Sequence, residues 1–228
     1  MHCNKCGEKI EEDSAFCQFC GNKVAGNNTG QQANDSSREE DIESKSVKKS
    51  RADLLWEKFA EVYDADGADR EKFNALSSQH VWELLERLSV NAFESFIQDN
   101  KEELNKQPYK TIEALKNVYI WTVDGGYKLW IAEVLLNDKK LDKFKSFSLE
   151  EFVVEWKKYD FDKAFKALSE EMSIGISRYS NFRFNSFIES AIEAKELSNA
   201  TIENLKTSLL FQALNGYHAG QIENTFRK

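Results

Sequence analysis

The chain has 228 residues, of which 41% are hydrophobic and 31% are charged, and its formal net charge at pH 7 is -8. These values are typical of a soluble globular protein and allow one ordinary domain with a small appendage. They exclude a general basic surface for nucleic acid, because an acidic chain repels the phosphate backbone on average. Contact with nucleic acid would therefore require a local basic patch.

The sequence predicts neither a secretion signal nor a membrane span. The first five residues are polar and no apolar run follows them, so we find no secretion signal. The most apolar stretch, residues 118–136, has the length of a membrane span but contains Asp124, Lys128 and Glu133. Each charge near a bilayer centre costs roughly 2.5–3.5 kcal/mol. We therefore predict no membrane span and expect a cytoplasmic protein.

All four cysteines lie within the first twenty residues, in two matching halves. The halves are Cys3-Asn4-Lys5-Cys6-Gly7 and Cys17-Gln18-Phe19-Cys20-Gly21. Two intervening residues let both thiolates of a half reach one metal ion from a tight knuckle, and four sulfurs complete a tetrahedron at about 2.3 Å. The pattern predicts one structural zinc ion, bound by Cys3, Cys6, Cys17 and Cys20.

The predicted zinc ion also replaces a hydrophobic core in this segment. About twenty-four residues cannot fold by apolar burial alone, and Ile10, Phe16, Phe19 and Val24 offer only a small cluster. Zinc binding and folding should therefore be one event, worth roughly 10–16 kcal/mol in comparable small fingers. His2 adjoins Cys3, but four cysteines already fill the site, so we expect it to be a bystander.

Three other uses of the cysteines were weighed against zinc. Disulfides are disfavoured because the sequence lacks a secretion signal and the two-residue spacing suits a metal. A rubredoxin-like iron site also uses two such knuckles, but the loop between them is much shorter here. A redox dithiol usually has one Cys-x-x-Cys at a helix start in a larger fold. Spacing, pairing and the two following glycines together favour zinc.

Residues 1–24 resemble the short N-terminal zinc ribbons common in bacterial and archaeal proteins. That family has Cys-x-x-Cys-Gly, a polar stretch with an aspartate, and then Phe-Cys-x-x-Cys-Gly; Asp13 and the run from Phe16 to Gly21 fit this pattern. The resemblance covers about a tenth of the chain and implies a two-knuckle ribbon with a small hairpin and a structural zinc. It implies no function, because such ribbons are attached to many unrelated proteins.

Residues 25–50 differ in composition from both neighbouring segments. They are rich in Asn, Gln, Ser and charged residues, and only Ile42 and Val47 are large and apolar. Such a segment cannot bury enough surface to offset its ordering entropy, so we predict a flexible linker. A polar helix over residues 38–49 is the alternative. The predicted domains are thus a zinc ribbon (1–24), a linker (25–50) and an all-helical domain (51–228).

Apolar residues at helical spacing recur through residues 51–228 and predict a mainly α fold, a helical bundle or array. Pro108 suits the first turn of one helix, Ser148 and Glu151 form a capping box at the start of another, and Gly216 is predicted to end the last. The predicted apolar stripes are Leu55, Phe59, Val62; Val81, Leu84, Leu85, Leu88; Phe93, Phe96, Ile97, Leu104; Ile112, Leu115, Tyr119; Phe152, Trp156; Phe161, Phe165, Leu168; Phe184, Phe187, Ile188, Ala191; and Ile202, Leu205, Leu209, Ala213.

Residues 118–131 allow two interpretations. Strand-forming residues flank Asp124-Gly125-Gly126, and Asp-Gly between such runs is typical of a short hairpin. The alternative is two helices that meet at the glycines. We favour the helices, because helical stripes lie on both sides and an isolated two-stranded hairpin is only marginally stable.

Other candidate sites are weaker than the cysteines. His80 and His218 lie in no catalytic motif, and we expect both on helix surfaces. Residues 64–69 resemble a calcium loop but lack its later ligands, so a helix C-terminal turn is the better interpretation. Residues 178–187 interleave arginine with aromatics and could stack on bases. We favour a core of Phe184, Phe187 and Ile188 with solvated arginines.

The sequence leaves three hypotheses about function. The first is a non-enzymatic zinc-binding adaptor or regulatory protein that acts through protein–protein contacts, which the acidic charge and the missing catalytic motifs favour. The second is a nucleic-acid-associated regulator that uses the zinc ribbon. The third is an enzyme whose site is formed by scattered side chains of the helical domain, which sequence patterns do not reveal.

Overall fold

The computed structural model describes residues 49–64, 77–137, 142, 144–190 and 197–227. In these residues every regular element is a helix, which confirms the mainly α prediction, and one isolated β-bridge joins Phe144 to Arg227. The predicted ribbon, the predicted linker up to residue 48, the predicted zinc ligands and most of the calcium-like loop lie outside the described residues. The helices are α1 (Arg51–Tyr63), α2 (Gln79–Asp99), α3 (Lys101–Leu104), α4 (Tyr109–Leu136), α5 (Leu149–Lys157), α6 (Phe161–Lys166), α7 (Glu170–Ser190) and α8 (Asn199–Asn224).

Side-chain caps fix where several helices begin. The hydroxyls of Ser78 and Ser198 accept hydrogen bonds from the first turns of α2 and α8. At α5 the predicted capping box is confirmed, because Ser148 and Glu151 exchange side chain-to-backbone hydrogen bonds. Pro108 directly precedes α4, as expected for a residue without an N–H to donate. Each side-chain cap by a serine contributes about 1 kcal/mol to stability.

α4 is one uninterrupted helix through Asp124-Gly125-Gly126, so both the hairpin and the meeting of two helices at the glycines are wrong. Half of its residues are buried, and they lie on most sides of the helix. It contacts α1, α2, α7 and α8 and is therefore the central helix of the compact helical unit formed by residues 51–228. The two glycines serve close packing rather than a turn. A Cβ on Gly126 would lie 1.9 Å from the carbonyl oxygen of Ala213 on α8.

The crossing of α4 and α8 brings the two backbones into direct contact. A Cβ on Gly216 would lie 1.9 Å from the carbonyl oxygen of Val123 and 2.7 Å from the amide nitrogen of Tyr127. Gly216 was predicted to end the last helix, but α8 continues to Asn224. Gly216 is therefore a contact residue inside the helix, where any larger side chain would separate α4 from α8.

The buried apolar residues of the described helices form two clusters. The first contains the predicted α1 stripe of Leu55, Phe59 and Val62 and extends to Ile222 on α8; the second centres on Tyr119 and Leu205. Each fully buried large apolar side chain contributes about 1.5–3 kcal/mol relative to exposure. Most predicted stripes supply buried or half-buried residues, but the prediction is wrong for Phe165 and Ile188, which are exposed.

Candidate metal centre and polar clusters

The four predicted zinc ligands, Cys3, Cys6, Cys17 and Cys20, lie before the first described residue. In the part of the chain that the structure does describe, no group of three or more His, Cys, Asp or Glu side chains is arranged to hold a metal ion. The chemistry of the donor set itself fits zinc. Four thiolates from two knuckles give the closed S₄ set of structural zinc sites.

A buried carboxylate, Glu223, joins three helices. Its Oε1 accepts a hydrogen bond from the backbone N–H of Ser78 at 2.6 Å, and the Tyr127 hydroxyl donates to Oε2. Nη2 of Arg227 lies 3.8 Å from Oε2, and the Arg227 guanidinium stacks on the Phe144 ring with 3.6 Å from Cζ to the centroid. The cluster therefore ties the start of α2 and the middle of α4 to the end of α8.

Burial raises the pKa of Glu223 above its ordinary value of 4.5, although hydrogen bonds from Tyr127 and Ser78 act in the opposite direction. The carboxyl thus contributes stability below its unfolded-state pKa, and this contribution is lost as the pH rises through the folded-state pKa. We expect Glu223→Gln, which stays neutral, to gain stability relative to the wild type as the pH rises from the unfolded-state pKa of Glu223 through its folded-state pKa. Urea unfolding at a series of pH values measures the difference.

The matched control for this experiment is Glu203→Gln, which changes an exposed carboxylate on the same helix. The comparison separates the effect of the buried carboxylate from the effect of removing one negative charge from α8. If Glu223→Gln instead lost stability relative to the wild type at higher pH, the hydrogen bonds to the ionised carboxylate would outweigh its burial.

A second polar cluster surrounds His218, which is 1% exposed, so the expectation of a surface histidine is wrong. Its Nδ1 lies 2.8 Å from Oε1 of Gln221, and the Tyr159 hydroxyl donates to the same oxygen at 2.6 Å. The Tyr217 hydroxyl donates to Glu133 at 2.7 Å. Burial lowers the pKa of His218 and favours its neutral form. These polar groups satisfy one another, as expected of a cluster that joins helices.

His80 also departs from the expected surface position. It is half-buried at the start of α2, and its ring contacts Phe147 edge-on with 5.4 Å between the ring centroids. It lies in a different cluster from His218, because the described contacts of the two rings share no residue. The structure therefore does not bring the two histidines of the helical unit into one site.

A third cluster surrounds Arg183 on α7, which is buried with 7% exposure. Its guanidinium carbon lies 5.1 to 5.4 Å from the centroids of four aromatic rings, those of Tyr63, Trp121, Tyr179 and Phe182. Nε donates to the Tyr179 hydroxyl at 2.8 Å, and that hydroxyl donates to the carbonyl oxygen of Trp121 at 2.6 Å. Burial lowers the pKa of Arg183 to about 10, so it is charged at neutral pH.

This arrangement corrects the prediction for residues 178–187. Phe187 is buried as predicted, but Arg183 is not solvated and Ile188 is exposed. Sequence reasoning also missed His218 and Glu223 as buried groups. One local signal could have found the Arg183 contact: Tyr179 and Arg183 are four residues apart, and such pairs are neighbours on a helix surface. For Glu223 the two hydrogen-bond donors, Ser78 and Tyr127, are distant in sequence. His218 lies three residues from Gln221, but its contact with the Tyr159 ring is distant in sequence.

Comparison with known proteins identifies the first segment of the chain. Residues 2–24 match the family model of a zinc-ribbon domain, in agreement with the resemblance found in the sequence. Searches of the curated proteins and of the solved structures returned no match. Among the described helices, none is long and apolar enough to cross a membrane.

Proposed function

We propose that this protein is a non-enzymatic zinc-binding adaptor that acts through contacts with another protein, in the cytoplasm. The match of residues 2–24 to a zinc-ribbon domain carries this proposal. The two knuckles supply four thiolates, Cys3, Cys6, Cys17 and Cys20, which fill a tetrahedral site. A closed site has no position for a substrate or a reactive water. The zinc ion would therefore fold the ribbon, and the folded ribbon would be a binding surface.

The acidic balance of the chain supports a protein partner over nucleic acid. With a net charge of -8, the average field repels phosphates, and the adaptor would need no basic footprint. The alternative function is that of a nucleic-acid-associated regulator, and an experiment can distinguish it from the adaptor. Gel-shift assays with the purified chain at low and high salt distinguish the two, because phosphate contacts weaken steeply as salt rises.

The test compares the intact chain with the variant Cys17→Ser, Cys20→Ser as baits for affinity purification. We expect a protein that is recovered with the intact bait, survives nuclease treatment, and binds the purified intact chain but not the variant. Nucleic acid recovered in place of a protein, with binding that disappears at high salt, would favour the regulator instead. A partner that binds both baits equally would show that the zinc ribbon is not the binding surface.

A further inference from the structure

Two large aromatic side chains are exposed beside one buried cation. Trp121 on α4 and Phe182 on α7 are 47% and 45% exposed, and both rings lie against the guanidinium of Arg183. Single exposed apolar residues are ordinary on protein surfaces. Here, however, the exposed rings of Trp121 and Phe182 lie beside the same guanidinium that the fully buried Tyr179 ring contacts. Apolar surface and a positive charge therefore occur at one place.

The described residues do not provide an acceptor for every N–H donor of Arg183. A guanidinium has five N–H donors, and Nε donates to Tyr179, but the buried Nη2 has no hydrogen-bond partner within the described residues. Burying a charge without a partner of opposite sign destabilises a fold. The four surrounding rings stabilise the cation but accept no hydrogen bond from Nη2 in the plane of the guanidinium, so an added acceptor would complete its hydrogen bonds.

The neighbouring cations differ from Arg183 in this respect. Lys128 pairs with Asp124 at 2.8 Å, and Arg178 lies 3.5 Å from Asp53. In the described part of the chain, no carboxylate pairs with Arg183 in the same way. The site thus offers one positive charge that no described carboxylate neutralises, rather than a row of such charges. One such charge matches a single carboxylate, whereas a nucleic-acid backbone requires several phosphate contacts.

We infer that Arg183, Trp121 and Phe182 form a docking site for an acidic segment of a partner protein, in which one Asp or Glu carboxylate binds the guanidinium. The two exposed rings would pack against apolar residues beside that carboxylate. Because Nη2 is buried in the unbound chain, binding through this atom would require the half-exposed rings to move aside. This inference rests on the proposed adaptor function but assigns it a second surface, on the helical unit.

The test selects binders from a phage-displayed library of random linear peptides, with the full-length zinc-loaded chain as the target. We expect enriched peptides to carry Asp or Glu next to a large apolar residue. Titration of one such synthetic peptide should show binding at least about tenfold weaker to Arg183→Gln than to the wild type. Replacing the acidic residue of the peptide by its amide should cause a similar loss.

Two further variants separate docking from folding. Arg178→Gln removes another cation of α7. Because Arg178 already lies beside the carboxylate of Asp53, peptide affinity should be unchanged. Trp121→Ala alters an exposed ring and should weaken the peptide without lowering the melting temperature appreciably. Trp121→Ala thus keeps the test decisive if Arg183→Gln were to fold poorly.

Several outcomes would overturn the inference. They are a failure to enrich any peptide, enriched peptides without an acidic residue, and equal affinity for the wild type and a folded Arg183→Gln. Binding of a single-stranded oligonucleotide that depends on Arg183 would assign the site to nucleic acid instead. The peptide should bind Cys17→Ser, Cys20→Ser as tightly as the wild type, so failure at Arg183 and failure of the ribbon are measured separately.

Discussion

Replacing Gly216 by alanine is expected to lower the free energy of unfolding by at least about 3 kcal/mol, the upper end of the usual cost of overpacking. The added Cβ would lie 1.9 Å from the carbonyl oxygen of Val123 and 2.7 Å from the amide nitrogen of Tyr127. Both neighbours are backbone atoms of the central helix and cannot rotate away. α4 and α8 would have to separate, and the apolar contacts along their crossing would be lost. Urea unfolding followed by circular dichroism measures the loss.

Gly175→Ala is the matched control for this substitution. Gly175 is also buried within a helix, but a Cβ there would first meet the side-chain end of Leu55, at 3.2 Å. Leu55 can shift by a few tenths of an ångström, and alanine favours the helix by about 1 kcal/mol over glycine. We expect a change within about 1 kcal/mol of zero for this control. Equal losses for the two variants would mean that backbone contact at Gly216 does not determine the packing of α8 on α4.

Cys17→Ser with Cys20→Ser is expected to abolish zinc binding and unfold residues 1–24, while the helical circular dichroism stays nearly intact. Removing one knuckle leaves two thiolates, and structural zinc contributes roughly 10–16 kcal/mol to folding in comparable small fingers. The helical signal should persist because both described hydrophobic clusters draw their buried residues from positions 55–222. Metal analysis and a thermal melt of the purified variant measure the two effects.

His2→Ala is the control for the cysteine variant. His2 adjoins Cys3 and could compete as a ligand, but four cysteines complete the predicted site, so this variant should keep its zinc. If the cysteine variant lost the helical signal as well, the predicted independence of residues 1–24 and 51–228 would be wrong. Retention of zinc in the cysteine variant would exclude the predicted ligand set.

The helices that could be predicted from the sequence are those with local signals. Leu55, Phe59 and Val62 repeat at helical spacing and are buried on one face of α1. Ser148 and Glu151 lie three residues apart, so their capping box forms within a single turn. In both cases the residues that determine the structure are neighbours in the chain, which is why a local pattern was sufficient.

The glycines of α4 and α8 show why local patterns fail elsewhere. Asp124-Gly125-Gly126 is typical of a turn, and Gly216 is typical of a helix end. In the structure both sites are helix interiors, because Gly126 and Gly216 allow backbones that are distant in sequence to touch. Tertiary packing thus overrides the local preference, and no pattern within either segment records its partner.

The buried polar groups were unpredictable for a related reason. Glu223 is buried because Ser78 and Tyr127, at least 96 residues away, donate hydrogen bonds to it. Arg183 is buried because α1, α4 and α7 supply rings around it. A charged residue in a helix is predicted to be exposed unless its distant partners are known. The zinc ribbon could be recognised from the sequence because its four cysteines lie within eighteen consecutive residues.

X-ray absorption spectroscopy of the purified full-length chain tests the central claim, a closed zinc site formed by Cys3, Cys6, Cys17 and Cys20, most directly. We predict a zinc edge whose fine structure contains four sulfur neighbours at about 2.3 Å and no nitrogen or oxygen neighbour in the first shell. An iron edge, a nitrogen or oxygen ligand at about 2.0–2.2 Å, or a chain purified without bound zinc would contradict the account.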